Sequence, residues 1–193
     1  MQPRGQFFGR LNKALNLNAE QQDITAGGTW SQLRALNQLM QKDPDNDTSR
    51  AHIDMQILEL VQKNPELAKC RFKIDDYKEF LIHQIICKRP SVELVVYVYQ
   101  QNPDAVKIPG YSGFSLLHHA CWCHASLEVI QFLVAIDEEA IRAPPFPPLF
   151  CAVDSETCLG VLEFLVKTYP EALCTSEISS VTPLDIALKV IYL

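Results

Sequence analysis

The chain has 193 residues, 48% hydrophobic and 21% charged, with a formal net charge of −6. That composition excludes a disordered chain, and no apolar run reaches the roughly 18 residues a membrane-spanning helix needs. The charge is uneven: residues 1–73 hold 10 Lys+Arg against 8 Asp+Glu, residues 74–193 hold 7 against 15. An acidic excess of that size repels a phosphate backbone, so nucleic acid is not an expected partner.

Residues 1–28, rich in Gln and Asn and ending in Gly27-Gly28, read as a flexible tail with an amphipathic pattern at Phe7, Phe8, Leu11 and Leu15. Arg4, Arg10 and Lys13 are not followed by the apolar stretch of a secretory signal. The seven cysteines are an odd number without a regular framework. They are expected as free thiols in a reducing compartment, hence in an intracellular protein, cytoplasmic or nuclear.

Residues 29–73 read as two degenerate N-terminal capping helices. The first spans Trp30 to Met40, closed by Asp43-Pro44-Asp45-Asn46-Asp47, and the second is carried by Ile57-Leu58-Glu59-Leu60-Val61 and ends in Asn64-Pro65-Glu66. Residues 74–193 contain a repeat. Ser115-Leu116-Leu117-His118-His119-Ala120-Cys121 recurs in decayed form as Pro147-Pro148-Leu149-Phe150-Cys151-Ala152 and as Thr182-Pro183-Leu184-Asp185-Ile186-Ala187. Ile82, Leu117, Leu149 and Leu184 are spaced 35, 32 and 35, and Val92, Leu127 and Leu159 follow the first three of them by 10 each. A constant internal offset with a variable period confines length changes to the connecting loop. The unit boundaries fall at about 75–110, 111–143, 144–178 and an incomplete 179–193.

Each unit reads as helix, turn, helix and loop, which makes the chain all-α, an α-solenoid of stacked helix-turn-helix repeats. Ser115 is the expected N-cap of the first helix of the second unit, and Ser91 and Ser126 of the second helices that follow them. Val129, Ile130, Leu133 and Val134 form the stripe of a helix with one buried side. The prolines of Asn102-Pro103-Asp104 and Tyr169-Pro170-Glu171 mark the end of the second helix or a fresh short turn. The last unit stops after one helix, so the chain is expected to be a fragment of a longer product or to dock at that end.

Leu117-His118-His119-Ala120 with Leu127-Glu128-Val129-Ile130, and Thr182-Pro183-Leu184, resemble the ankyrin repeat, whose signature is Thr-Pro-Leu-His-x-Ala followed by Leu-Glu-Val-Val-x-x-Leu-Leu. The resemblance covers about residues 75–193. Three departures argue against the family's hairpin-like finger, most of all between the second and third units. The helix-to-helix spacing is one residue longer, the loop endings are Pro-Asp/Glu-Ala, and Ala143-Pro144-Pro145-Phe146-Pro147-Pro148 has no glycine.

The resemblance implies a non-catalytic protein-interaction module that binds through its concave loop and first-helix face and needs no cofactor. Carried onto this sequence, the exposed positions are Tyr111, Ser112, Phe114, Trp122 and Cys123, flanked by Tyr77, Glu79, Cys87 and Lys88 on one side and by Phe146, Asp154 and Ser155 on the other. Tyr111, Phe114, Trp122 and Phe146 would form an aromatic row, the usual material of binding hot spots. The acidic flanks favour a partner with a basic or neutral surface.

The alternative is a metal-binding or redox-responsive module built on Cys121, Cys123 and His124 with His119, since His119 and Cys123 are four apart on one helix. The paired spacing of a tetrahedral zinc site is missing, and His118 stands where the family has a structural histidine. Gly110-Tyr111-Ser112-Gly113 lacks the final glycine of a nucleophile elbow, and no phosphate loop or dinucleotide fingerprint occurs. No enzymatic activity is expected.

Overall fold

A computed structural model describes residues 30–40, 42, 47–74, 77–110, 113–175 and 182–191, which are predominantly helical. The tail, residues 1–28, lies outside the described residues, as do Tyr111 and Ser112. Helix α1 (Trp30–Met40) has the expected bounds, and α2 (Asp47–Lys63) begins ten residues before the Ile57 segment that announced it. The extra turns have an anchor: the carboxylate of buried Asp54 accepts the Ser91 N–H at 2.5 Å.

Between the cap and the first unit lies an element the all-helical expectation omitted. Strands β1 (Arg71–Ile74) and β2 (Tyr77–Phe80) pair antiparallel, with Arg71 opposite Phe80 and Ile74 opposite Tyr77. The expected 73/74 boundary between cap and repeats therefore falls inside β1. Four-residue strands are too short to stand out from helical patterning in a sequence.

The units follow as α3 (Leu81–Ile86) with α4 (Val92–Gln101), α5 (Leu116–Trp122) with α6 (Leu127–Ile136), α7 (Pro148–Asp154) with α8 (Leu159–Thr168), and α9 (Pro183–Ile191). Ser91, Ser115 and Ser126 cap as expected, accepting from Leu94, His118 and Val129 N–H. At α9 the cap is reciprocal: the Thr182 hydroxyl accepts from Asp185 N–H at 3.1 Å, and the Asp185 carboxylate accepts from Thr182 N–H at 2.8 Å.

The backbone repeats more faithfully than the sequence. Asn64, Asn102, Asp137 and Tyr169, each closing a helix, share φ between −152 and −141° and ψ between 72 and 83°. Each leads into a five-residue 3-10 turn: Pro65–Lys69, Pro103–Lys107, Glu138–Arg142 and Pro170–Cys174. The helix pair α1–α2 thus ends in the same corner as the helix pairs behind it. Arg89, His124 and Glu156, in the turns between paired helices, are the non-glycine residues with positive φ, at 56, 56 and 58° among the described residues.

Helix α3 packs on α5, α5 on α7 and α7 on α9, while α2 packs on α4, α4 on α6 and α6 on α8. One buried cluster runs through both rows, including Leu81, Ile85, Leu117, Ile130, Leu149 and Leu165. The stripe expected on α6, Val129, Ile130, Leu133 and Val134, is buried in full. Burying each such side chain stabilises the fold by roughly 1.5–3 kcal/mol.

Candidate functional site

The chemistry-bearing residues gather around α5, whose six residues from Leu116 to Cys121 are all buried. His118 is held at both ring nitrogens. Nε2 lies 2.7 Å from the Phe146 carbonyl, which can only accept, so Nε2 carries the proton. Nδ1 then accepts from the Ser115 hydroxyl at 2.7 Å, while that hydroxyl oxygen accepts the His118 backbone N–H. Burial pushes the pKa of this neutral imidazole down to about 4.

One unit earlier, His83 donates from Nε2 to the Ile108 carbonyl at 2.8 Å, and burial lowers its pKa too. Both histidines fasten a first helix to the loop that leads to the next unit. The corresponding position of the third unit is Phe150, which packs on Phe146 with centroids 4.9 Å apart.

Of the aromatic row, Tyr111 lies outside the described residues and one of the other three members is not on the surface. Phe146 is buried, 9% exposed, with its ring against Phe114, His118 and Phe150. The bond from its carbonyl to His118 draws the loop inward, where the period shortens to 32 residues. Phe146 therefore seals the second unit against the third instead of facing outward.

Phe114 and Trp122 remain half-buried, with centroids 6.2 Å apart, and line a shallow crevice with His118, His119 and Cys123. Tyr77 stands in β2, its side chain outside what is described. Half-buried Lys88 lines a separate crevice with Arg50 and Asp54, between the cap helices and the first unit.

Cys123, expected at the surface, is 6% exposed. Its backbone N–H donates to the His119 carbonyl at 2.9 Å, closing the last turn of α5. Glu79, expected as an exposed flank, is 2% exposed and accepts from Gln84 Nε2 at 2.5 Å. Gly110 closes this pocket: a Cβ there would stand 2.8 Å from Glu79 Oε1 and from His83 Cδ2, and 3.3 Å from His119 Nε2. The buried Glu79 cluster had no sequence signal, since one carboxylate within a four-residue strand looks the same whether buried or solvated. Of the flanking positions, Asp154 is half-exposed, and the Ser155 hydroxyl donates to the Cys121 carbonyl at 3.1 Å, tying α7 to α5.

The metal alternative finds no matching geometry: among the described residues no group of three or more His, Cys, Asp or Glu is arranged to hold a metal ion. Burial pushes the Cys121 thiol upward, which suits a core thiol and not a ligand thiolate. The seven cysteines are all free. Among the described residues no helix is long and apolar enough to cross a membrane. Neither a protein-family model nor a curated protein matches the chain.

Proposed function

We propose that this chain is a stack of ankyrin-like two-helix units, an α-solenoid, that works as a non-catalytic protein-interaction module. The recurrent corner after each second helix and the left-handed residues at matching turns support the repeat reading. The observation that carries the interaction reading is the Phe114–Trp122 pair, two large aromatics left half-exposed at one edge of the first-helix row. Aromatic side chains anchored by neighbours but open to solvent lose little entropy on binding, which is why they dominate interface energetics. With Phe146 and Cys123 buried, the contact patch contracts to Phe114 and Trp122, with Tyr111 and Ser112 adjacent in sequence. The partner is a protein whose contacting surface is basic or neutral, matching the acidic excess of residues 74–193. A reducing intracellular compartment fits the free thiols.

The test compares Trp122→Ala and Phe114→Ala with Gln131→Ala, an exposed position on α6, at matched helicity by circular dichroism. The aromatic variants should weaken binding of captured partners by about tenfold or more, as loss of a hot spot does, and Gln131→Ala should not. Equal binding by all three would remove this edge as the interface.

A further inference from the structure

The residue that opens each corner decides how tightly that corner joins the one before it. Asn102 closes α4, and its Nδ2 donates to the Ala68 carbonyl of the preceding corner at 3.1 Å. Asp137 holds the same place after α6 with the same backbone conformation, and Val106 holds the place of Ala68. A carboxylate has no hydrogen to donate, so the bond of the earlier junction cannot form at this one. Nor does the Asp137 side chain cap its own 3-10 turn. The Val106 carbonyl is equally short of a donor. Pro109, three residues on, has no N–H, and no other backbone N–H among the described residues reaches that oxygen. Both residues line a groove of about 360 Å³ between the corners Pro103–Lys107 and Glu138–Arg142, a volume in the range of ligand clefts.

We propose that this groove binds a basic side chain of a protein partner, whose N–H groups take the part that the Asn102 amide plays one unit earlier. An ammonium or guanidinium there donates to the Asp137 carboxylate and to the Val106 carbonyl. Exposed Glu139 adds a second carboxylate to the lining. Two cations line it as well, Lys107 and Arg142, both exposed and neither ion-paired among the described residues. The Arg142 guanidinium lies over the Tyr169 ring, 4.8 Å from its centroid, which holds it in place. With two charges of each sign the lining has no net charge. A run of basic residues is therefore repelled by Lys107 and Arg142, whereas one basic residue beside an acidic one is matched in both charges. Gly113 and Ser115 line this groove, and Phe114 between them lines the aromatic crevice, so one extended segment can cover both. Taking the cation from a protein is the one point that rests on the interaction reading.

The probes are capped tetrapeptides with Arg-Asp, Arg-Arg or Ser-Asp at the centre, titrated into the isotopically labelled full chain and followed by amide chemical shifts. Arg-Asp should shift the amides of Lys107, Gly113 and Arg142 and bind about tenfold tighter than either of the others. Shifts confined to other residues, or equal affinity for Arg-Arg or Ser-Asp, would overturn the proposal. So would methylguanidinium binding as tightly as the peptide, since the ligand would then be a small cation and not a protein segment. Asp137→Asn supplies the amide that Asn102 has, so it should raise the urea midpoint and weaken Arg-Asp binding about tenfold or more. Undiminished binding by this variant would also sink the idea. The peptide comparison is read on the parent protein, so poor folding of a variant does not blunt it. The peptides carry no apolar anchor, and Trp122→Ala should leave their binding unchanged, so a failure at the aromatic edge and a failure at the groove are told apart.

Discussion

Protonating His118 costs the fold a hydrogen bond, because Nδ1 can no longer accept from Ser115 once it carries its own proton. In the unfolded chain the imidazole titrates near 6.5; in the fold it titrates at about 4. Between those values the unfolded state binds more protons, so stability is present above pH 6.5 and is lost as pH falls toward 4. From pH 7 to 5 the loss due to His118 is about 2 kcal/mol. The lowered pKa of His83 acts in the same direction, and the raised pKa of Asp54 acts against it, favouring the folded state as pH falls. Urea denaturation at both pH values should show the drop, and His118→Gln should show less of it. An unchanged drop in the variant would dissociate the acid lability from this ring. At Gly110 the constraint is space: Gly110→Ala drives a methyl group against Glu79 and His83 and should cost about 1–3 kcal/mol, read in the same titration. A cost below a few tenths would mean that the Glu79 cluster yields without strain.

The second helices of the three units differ at one position that isolates the value of a cap. Ser91 and Ser126 accept a backbone N–H from the third residue of their helices, whereas Cys158, at the corresponding place before α8, makes no side-chain cap. Its backbone already has the extended conformation of an N-cap, φ −62° and ψ 148°, matching Ser126 at −64° and 159°. Cys158→Ser should therefore stabilise the chain by about 0.5–1 kcal/mol, and Ser126→Ala should destabilise it by about 1 kcal/mol. Opposite shifts in denaturation midpoint are expected, and no gain from the serine would mean that α8 starts under another constraint. These helix starts were legible because a hydroxyl before an apolar stripe has a local physical meaning. The same holds for α1 and for the buried face of α6. The β1–β2 hairpin was not legible, since its pairing depends on residues brought together by the turn and not on either strand's own pattern. Phe146 and Cys123 were misplaced for a related reason. Position in a repeat says which face a residue starts from, while a hydrogen bond to another unit, as from His118 to the Phe146 carbonyl, decides where it ends.

Among the described residues, each helix of a row packs on the next helix of that row, and the polar ties between helix pairs follow the same rule. Asp54 reaches Ser91, Asn102 Nδ2 donates to the Ala68 carbonyl at 3.1 Å, and Ser155 reaches Cys121, each spanning one unit. Stability in such an arrangement is a sum of unit and junction contributions, so damage should spread only as far as the junctions carry it. Leu165 is buried in α8, and Leu165→Ala removes methyl groups from the third unit at a cost of about 2–5 kcal/mol. Amide hydrogen exchange should then quicken most in α7, α8 and α9, less in α5 and α6, and least in α2 and α4. The converse substitution, Val95→Ala on α4, should loosen the opposite end. Exchange that rises equally in every helix would show that the chain opens only as one cooperative block, with junctions stronger than the units they join.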